Sequence, residues 1–364
     1  MSEPLAPEDT LTAIRREIER NALRARNGLK YLAGSRFATT NVTPRELVWE
    51  RGKAKLWRYR GEQPPTRSPP VLIYVGLAGR ARCFDLLPGN SFVGKILAAG
   101  FDASVLDWGE PDEADASNTF ATYGLDYIPS AVDALLEATG EREVSIIGYC
   151  MGACMTLLSV GAGSNVPLRS LVLMAAPIDF TQMGEMMRPI QDGTFDPEDL
   201  LDDTGNVPAS TMLASFRVRK PTSDLLMYAN LWQNLWNDAY VEGFQAMNDW
   251  ATDHVPLPGA AFREMVSQWM IGNGFMNKTL RVGTRKVDLG RIRCPVLCVI
   301  AEKDDIVPLP AATPLPSLLT GAASVETVLL PAGHVNLVMG RPADKVTIPK
   351  ITEFLSRHGS ERQN

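Results

Sequence analysis

The stretch Val144-Ser145-Ile146-Ile147-Gly148-Tyr149-Cys150-Met151-Gly152-Ala153-Cys154 decides the fold. A short run of β-forming residues ends at Gly148, and the apolar segment that begins at Gly152 can continue as a helix to about Ser159. Glycines two residues either side of Cys150 leave room for a strained strand-to-helix turn, because larger side chains would collide with neighbouring backbone. The N–H groups and dipole at the start of the helix would favour a thiolate. The spacing predicts that Cys150 is a nucleophile; the alternative is a buried structural cysteine.

The composition is that of an ordinary globular protein. Of 364 residues, 45% are hydrophobic and 21% are charged, enough for one large α/β domain with an insertion or for two domains. The balance of 36 basic against 42 acidic residues gives a net charge of −6, which argues against a nucleic-acid-binding surface. No apolar run approaches the roughly 18 residues that span a bilayer, and the N-terminus lacks the features of a signal peptide. We therefore expect a cytoplasmic protein with no transmembrane segment.

The cysteines do not predict a disulfide framework or a metal site. They are odd in number and scattered, at positions 83, 150, 154, 294 and 298. Cys150 and Cys154 would lie one helical turn apart, which is a poor geometry for a bridge. Cys294 and Cys298 would share one face of a strand, but no histidine is near them to complete a metal site.

Strands and helices alternate along most of the chain. Predicted strands cover residues 53–59, 71–75, 103–109, 144–148, 171–175, 294–301 and 325–330. This alternation implies right-handed crossovers and a mostly parallel central sheet flanked by helices. The pattern breaks from 180 to 287, a segment with helical signals that holds nine of the 14 methionines and four of the seven tryptophans. We predict that 180–287 is an inserted helical cap and that 41–179 and 288–364 form the core. The segment could also be apolar only because it packs on that core.

Within the N-terminal segment 1–40, residues 9 to 33 have the pattern of an amphipathic helix. Apolar residues recur at three- and four-residue steps, with arginines and glutamates between them: Leu11, Ile14, Ile18, Ala22, Ala25 and Leu29. The simpler interpretation is that this stripe packs on the domain. The alternative is that it docks to a partner or to an apolar surface.

Two further residues complete a catalytic arrangement with Cys150. Asp304 follows the predicted strand 294–301, and His334 follows the strand 325–330 in a Gly-His loop. Nucleophile, acid and histidine in this chain order are typical of the α/β-hydrolase fold. We predict that His334 is the base for Cys150 and that Asp304 fixes the tautomer and charge of the imidazole. Asp305 is the second choice for the acid.

The loop Gly76-Leu77-Ala78-Gly79-Arg80 follows the strand 71–75. In α/β-hydrolases this loop supplies one N–H group to the oxyanion hole, and the residue after the nucleophile supplies another. We therefore predict the backbone N–H groups of Leu77 and Met151 as the oxyanion donors. A phosphate-binding loop would need lysine and then serine or threonine after the second glycine, and neither is present. A thiol nucleophile points to a thioester substrate or an acyl-thioester intermediate.

From about residue 44 to 357 the chain resembles the class III polyhydroxyalkanoate synthase catalytic subunits of the α/β-hydrolase superfamily. Residues 106–115 are similar to the family motif Asp-Trp-Gly-x-Pro-Asp-x-Ala-Asp. Asn273-Gly274-Phe275-Met276-Asn277, Val287-Asp288-Leu289 and 292–297 are also similar to family sequences. The chain departs from the family pattern next to the nucleophile, in the loop 76–80 and after the histidine. The residues that differ are Met151, Ala153, Gly79 and Val335-Asn336.

The resemblance implies an acyltransferase that polymerises (R)-3-hydroxyacyl-CoA, such as 3-hydroxybutyryl-CoA, on Cys150. CoA would be part of the substrate and a product, and no cofactor or metal would be needed. The expected partners are the hydroxyacyl-CoA, the growing polyester chain and a second helical synthase subunit. A second copy of this chain, forming a homodimer, is a further expected partner. The enzyme would work in the cytoplasm or at the surface of polyester granules.

Two other functions remain open from the sequence. A cysteine-dependent α/β-hydrolase, either a thioesterase or a polyester depolymerase, would use the same residues. A non-catalytic protein that binds granules or a partner is the third interpretation. It is disfavoured because an inert relative has no reason to keep cysteine, aspartate and histidine in the required order.

Overall fold

The core of the protein is a nine-stranded sheet. The computed structural model describes residues 10–34, 43–217 and 223–362. The strands are β1 (Arg45–Arg51), β2 (Ala54–Tyr59), β3 (Arg67–Tyr74), β4 (Phe101–Asp107), β5 (Val144–Tyr149), β6 (Leu168–Met174), β7 (Val296–Ala301), β8 (Val325–Leu330) and β9 (Ser360–Glu361).

The strand order is β1-β2-β4-β3-β5-β6-β7-β8, with β9 paired to the start of β3. The pairs from β4 to β8 are parallel, whereas β1, β2 and β9 pair antiparallel to their neighbours. Every residue of β5 and β7 is buried, because helices cover both faces of the central sheet. The predicted mostly parallel α/β sheet is confirmed.

Helices flank the sheet and fill the segment between β6 and β7. The longer ones are α1 (Thr10–Leu32), α2 (Phe92–Ala98), α3 (Ile128–Thr139), α4 (Met151–Gly161), α5 (Ala209–Arg217), α6 (Ser223–Asn234), α7 (Asp238–Thr252), α8 (Gly259–Glu264) and α9 (Ile348–His358). Shorter helices are Arg188–Gln191, Gly274–Asn277, Leu309–Ala312, Leu315–Leu318 and Gly340–Pro342. Among the described residues, none of these helices combines the length and apolar character that a membrane span requires.

Packing divides the chain into two units, Met1–Thr40 with Lys220–Thr252 and Asn41–Arg219 with Asp253–Asn364. The larger unit contains the sheet. The segment 180–287 contributes to both units, since its part 220–252 belongs to the smaller one. That 180–287 acts as a cap stays a prediction.

In the smaller unit, α1 packs against α6 and α7 through polar and aromatic side chains. The amide of Asn27, which is fully buried, donates to the Leu235 carbonyl oxygen and to Asp238 Oδ1, both at 2.6 Å. The guanidinium of Arg20 lies 4.3 Å from the centre of the Trp236 ring. The ring of Tyr31 lies 6.3 Å from that of Phe244.

Most apolar side chains of α1 lie on the face of the helix opposite these contacts, and this face is exposed. Exposed fractions are 51% for Ile14, 63% for Ile18, 70% for Leu29 and 84% for Leu32, and Ala22 and Ala25 are also exposed. Within the smaller unit the contacts of α1 come from its opposite face, and that the helix packs on the domain stays a prediction. The side chain of Leu11 lies outside the described residues.

Candidate active site

Cys150 occupies a sharp turn between β5 and α4. Its φ of 57° and ψ of −123° are a strained combination for a residue other than glycine. A Cβ atom on Gly148 would lie 2.8 Å from the Ala153 Cα atom, and one on Gly152 would lie 2.7 Å from the Tyr74 carbonyl oxygen. Both distances are too short for real contacts, so glycine is required at both positions. The turn therefore has the geometry that the spacing predicted.

Polar contacts hold the turn from below. The hydroxyl groups of Tyr74 and Thr156 are 2.6 Å apart, and Thr156 donates to the Gly152 carbonyl oxygen at 2.9 Å. Tyr74 and Thr156 are fully buried, so these hydrogen bonds are shielded from water. They link the end of β3 to the first turn of α4.

The structure brings His334 and Asp304 together. The Nδ1 atom of His334 lies 2.6 Å from Asp304 Oδ2, and both residues are buried. The other carboxylate oxygen of Asp304 accepts the N–H groups of Ile306 at 2.8 Å and Val307 at 2.7 Å. Asp305, the second choice for the acid, is exposed. An Nδ1–H that donates to Asp304 leaves the Nε2 atom of the imidazole for a different partner.

Cys150 is the second hydrogen-bond partner of the His334 imidazole. Burial lowers the pKa of His334, but the charge of Cys150 and the hydrogen bonds to Asp304 and Cys150 outweigh burial and raise it from 6.5 to about 10. The raised pKa means that the imidazole holds a proton more readily than a free histidine does, next to the sulfur atom of Cys150. The pKa of His334 is higher in the folded than in the unfolded chain, so protonation of this histidine adds to the free energy of unfolding. This contribution is complete below pH 6.5 and is lost as the pH rises through about 10.

Tyr149, which precedes the nucleophile, also contacts the histidine. Its hydroxyl group donates to the His334 carbonyl oxygen at 3.2 Å, and the two rings have centroids 4.9 Å apart. The tyrosine is 1% exposed, so it fixes the histidine loop against the end of β5. This contact could not be predicted from the sequence, because the position between the first glycine and the nucleophile varies freely in the elbow pattern.

The loop after β3 approaches the nucleophile closely. A Cβ atom on Gly76 would lie 2.3 Å from the Met151 Cβ atom, so glycine is needed where this loop passes the start of α4. Leu77 follows Gly76 and is 1% exposed. The loop that carries Leu77 is therefore adjacent to the start of α4 at Met151. That their N–H groups form the oxyanion hole stays a prediction.

Trp108 holds the base of this loop and was not predicted as a site residue. Its indole Nε1–H donates to the Val75 carbonyl oxygen at 2.7 Å, one residue before Gly76. The indole ring packs edge-on against Tyr74 and Tyr123, with centroids 5.7 and 5.4 Å away. The sequence motif at 106–115 indicated a family resemblance, but only the structure shows this contact.

Ion pairs hold the far end of the same loop. Arg80 contacts Glu110 at 2.9 Å and Asp253 at 3.1 Å, and Arg82 contacts Asp253 at 3.0 Å. Next to Asp253, the Nδ1 atom of His254 lies 3.4 Å from the Ala78 carbonyl oxygen. The predicted oxyanion loop is thus held on one side by residues of the motif 106–115 and on the other by Asp253 and His254.

Four cysteines lie in unreactive surroundings. Cys154 is fully buried and donates its thiol to the Pro177 carbonyl oxygen at 3.3 Å, and burial raises its pKa well above the ordinary value. Burial also raises the pKa values of Cys83, Cys294 and Cys298. All five cysteines are free thiols, and the part of the chain that the structure describes has no cluster of ligands for a metal ion.

Comparisons with known proteins show what this chain is similar to. A model of the α/β hydrolase fold family matches residues 69–339. The poly(3-hydroxyalkanoate) polymerase subunit PhaC of Allochromatium vinosum is 31% identical over 90% of this chain and 93% of its own length. The protein of the same name from Haloferax mediterranei is 28% identical over 86% of this chain and 64% of its own length. A solved hydrolase from Pseudomonas aeruginosa PA01 has a TM-score of 0.48 at 17% identity, over 87% of this chain and 100% of that chain.

Proposed function

This chain belongs to the α/β hydrolase fold family and to the poly(3-hydroxyalkanoate) polymerase PhaC family, and on that basis we propose how it works. It is a polyhydroxyalkanoate synthase, an acyltransferase that joins (R)-3-hydroxyacyl groups from their CoA thioesters. The observation that carries the mechanism is a cysteine, instead of serine, at a turn that faces an Asp304–His334 pair. Exchange of an acyl group between two sulfur atoms is close to isoenergetic, which suits a cysteine nucleophile.

The first half-reaction loads the enzyme. The Cys150 thiolate attacks the thioester carbonyl carbon, and the N–H groups of Leu77 and Met151 stabilise the oxyanion that forms. The intermediate collapses when the bond to the CoA sulfur breaks. His334 gives its proton to the departing CoA thiolate, which leaves an acyl-thioester on Cys150 and a neutral imidazole.

The second half-reaction extends the chain. The 3-hydroxyl group of another hydroxyacyl unit attacks the acyl-cysteine, and His334 takes the hydroxyl proton at Nε2. An ester bond forms and the Cys150 thiolate is released, so the starting state is restored with one more unit in the polymer. Asp304 holds Nδ1–H throughout and stabilises the imidazolium whenever it forms.

Water must be kept from the acyl-cysteine, because hydrolysis would end chain growth. We assign this role to the predicted cap at 180–287, whose methionines and aromatic residues suit a polyester chain. In the larger unit, Trp269 is 2% exposed and stacks on Phe120 with centroids 4.6 Å apart. The polymer at a granule surface and a second, helical subunit are the partners of the proposed reaction, since the relatives are named as subunits.

Product analysis tests the function. The protein is incubated with 3-hydroxybutyryl-CoA, released thiol is measured, and the acyl product is separated into polymer and free acid. We expect CoA and polymer in matching amounts with little free acid. CoA with free 3-hydroxybutyrate as the main product would instead identify a thioesterase. A protein that releases no CoA, alone or with a helical synthase subunit, would contradict both.

A further inference from the structure

The chain between residues 278 and 293 carries a local excess of positive charge. The whole chain has 36 basic and 42 acidic residues and a net charge of −6. Within 278–293, six residues are basic and one is acidic. The basic residues are Lys278, Arg281, Arg285, Lys286, Arg291 and Arg293, and the acidic one is Asp288. Because the rest of the chain is acidic, this segment is a surface that attracts anions.

A cavity lies beside this segment in the larger unit. Its volume is about 340 Å³, which is within the range of small-molecule sites. Lys278, Lys286 and Arg291 line it and are exposed. Leu289 and Leu318 line it as well and are half-buried. We call this space, which these five residues help to line, the basic cavity. Its lining therefore has a charged part and an apolar part.

The basic cavity lies at the opposite edge of the sheet from the catalytic residues. Arg291 comes before β7 and Leu318 comes before β8, whereas Asp304 and His334 follow these two strands. The strands are parallel, so the residues before them lie at one edge and the residues after them at the other. β7 has six residues, which separates the two edges by about 17 Å at 3.3 Å per residue.

Helix α4 gives a second measure of this separation. The N–H group of Asp288, which lines the basic cavity, donates to the Gly161 carbonyl oxygen at 2.9 Å. Gly161 is the last residue of α4, and Cys150 immediately precedes its first residue. The helix is about 15 Å long between these ends at 1.5 Å per residue. The basic cavity is therefore separate from the site at which Cys150 reacts.

The basic side chains of the cavity have no partner in the described part of the chain. The side chains of Lys278, Lys286 and Arg291 make no hydrogen bond or ion pair with any described residue. By contrast, Arg285 does not line the cavity, and its Nη1 group donates to the Gly163 carbonyl oxygen at 3.4 Å. Local contacts thus explain a basic residue outside the cavity but none of the three that line it.

One carboxylate lines the cavity as well. Asp288 Oδ1 accepts the N–H group of Gly290 at 2.9 Å, so this oxygen holds the loop before β7. Three basic side chains against one carboxylate leave an excess of two positive charges. The cavity therefore suits a ligand that carries at least two negative charges.

We propose that the basic cavity binds a nucleotide. Its phosphate groups contact Lys278, Lys286 and Arg291, and its base packs on Leu289 and Leu318. A guanidinium group can bind a phosphate through two parallel N–H bonds, and ammonium groups add compact charges beside it.

Charge and shape together favour a nucleotide over other anions. A hydroxy acid or a fatty acid brings one negative charge to an excess of two positive charges. Inorganic phosphate and pyrophosphate leave the apolar part of the lining uncovered. A nucleic acid is too large for a cavity of about 340 Å³. A nucleoside diphosphate supplies the required charge and a flat apolar group in one small molecule.

Calorimetric titration of the full chain with ADP tests the proposal. We expect one site per chain, with an affinity that falls as the salt concentration rises. The double variant with Lys286→Gln and Arg291→Gln should weaken ADP binding by about tenfold or more, because two charged hydrogen-bond donors are lost. Its circular dichroism spectrum and its CoA release from 3-hydroxybutyryl-CoA should match those of the wild type.

The matched control is the double variant with Arg281→Gln and Arg285→Gln. It removes the same charge from the same segment, but neither residue lines the cavity. ADP binding should change by about twofold at most, because exposed charges outside the site are screened by salt. CoA also contains a phosphorylated adenosine, so it is titrated into the same proteins. Loss of a CoA site in the cavity variant identifies released CoA as the nucleotide source, and an unchanged CoA titration identifies a free nucleotide.

Two further measurements locate the ligand and divide it into its parts. Pyrophosphate should bind more weakly than ADP, and adenosine should not bind measurably. Photolabelling with 8-azido-ADP should mark peptides within 274–320. No ADP binding to the wild type, unchanged binding in the cavity variant, pyrophosphate that binds as tightly as ADP, or a label near Cys150 would overturn the proposal. So would a raised KM for 3-hydroxybutyryl-CoA in the cavity variant, because the cavity would then belong to the catalytic site.

Discussion

We expect the Cys150→Ala variant to release no CoA from 3-hydroxybutyryl-CoA above background, a loss on the order of 10⁴-fold or more, as for nucleophile removal in other enzymes. Without the sulfur atom no acyl-enzyme can form, and His334 and the oxyanion donors have no step to assist. The fold should persist, because alanine is smaller than cysteine and Gly148 and Gly152 still allow the turn. Thiol release at saturating substrate and circular dichroism measure the two effects.

Two variants control this result. Cys150→Ser should keep at most a trace of activity, since a hydroxyl group is a much weaker acid than a thiol and is less readily activated. Cys154→Ala should keep nearly full activity, because the Cys154 thiol is fully buried and occupied by the Pro177 carbonyl oxygen. Equal losses at Cys150 and Cys154 would show that the assignment of the nucleophile is wrong.

The second large effect is expected at Asp304. Asp304→Asn should lower kcat by roughly 10²- to 10⁴-fold, because an amide cannot stabilise the imidazolium and disturbs the tautomer of the histidine. Asparagine can still accept the N–H groups of Ile306 and Val307 through its oxygen, so the loop should keep its conformation. The pKa of His334 should fall, since Asp304 is one of the groups that raise it. Steady-state kinetics and histidine NMR titration give the two readouts.

Asp305→Asn is the matched control because it removes a carboxylate from the next position. Asp305 is exposed, whereas Asp304 is buried against the imidazole at 2.6 Å. The control should therefore change kcat by less than about twofold, as expected for a surface substitution away from the reacting groups. A loss at Asp305 as large as that at Asp304 would reverse the assignment of the acid.

The sequence alone was sufficient to predict the sheet and the strands whose ends carry the site residues. The elbow spacing around Cys150 leaves one backbone conformation, and the ends of parallel strands must meet at one edge of the sheet. Asp304 and His334 follow two such strands, so their approach could be predicted before any distance was known. Chain order and strand periodicity are local signals, and they were enough for this part of the molecule.

The contacts of Trp108 and Tyr149 could not be predicted in the same way. Each joins groups far apart in the chain, 33 residues for Trp108 and Val75 and 185 for Tyr149 and His334. Nothing local to either aromatic residue indicates which carbonyl oxygen its polar group will reach. Such pairings depend on side-chain packing in the finished fold.

The contacts of α1 could not be predicted for a related reason. Apolar periodicity shows that a helix has an apolar face, but not that this face packs within the same chain. Here the polar face is held by Asn27, whose amide donates to the Leu235 carbonyl oxygen in a buried hydrogen bond that periodicity cannot reveal.

The central claim is that acyl groups pass through Cys150. Intact-mass spectrometry tests it most directly. The wild-type protein is mixed with less than one equivalent of 3-hydroxybutyryl-CoA, quenched in acid and weighed, and its digested peptides are sequenced. The account predicts a protein that gains the mass of one 3-hydroxybutyryl group on the peptide with Cys150, and no gain for Cys150→Ala. An acyl group on another residue, or CoA release by wild type in which rapid quenching finds no acylated protein, would contradict it.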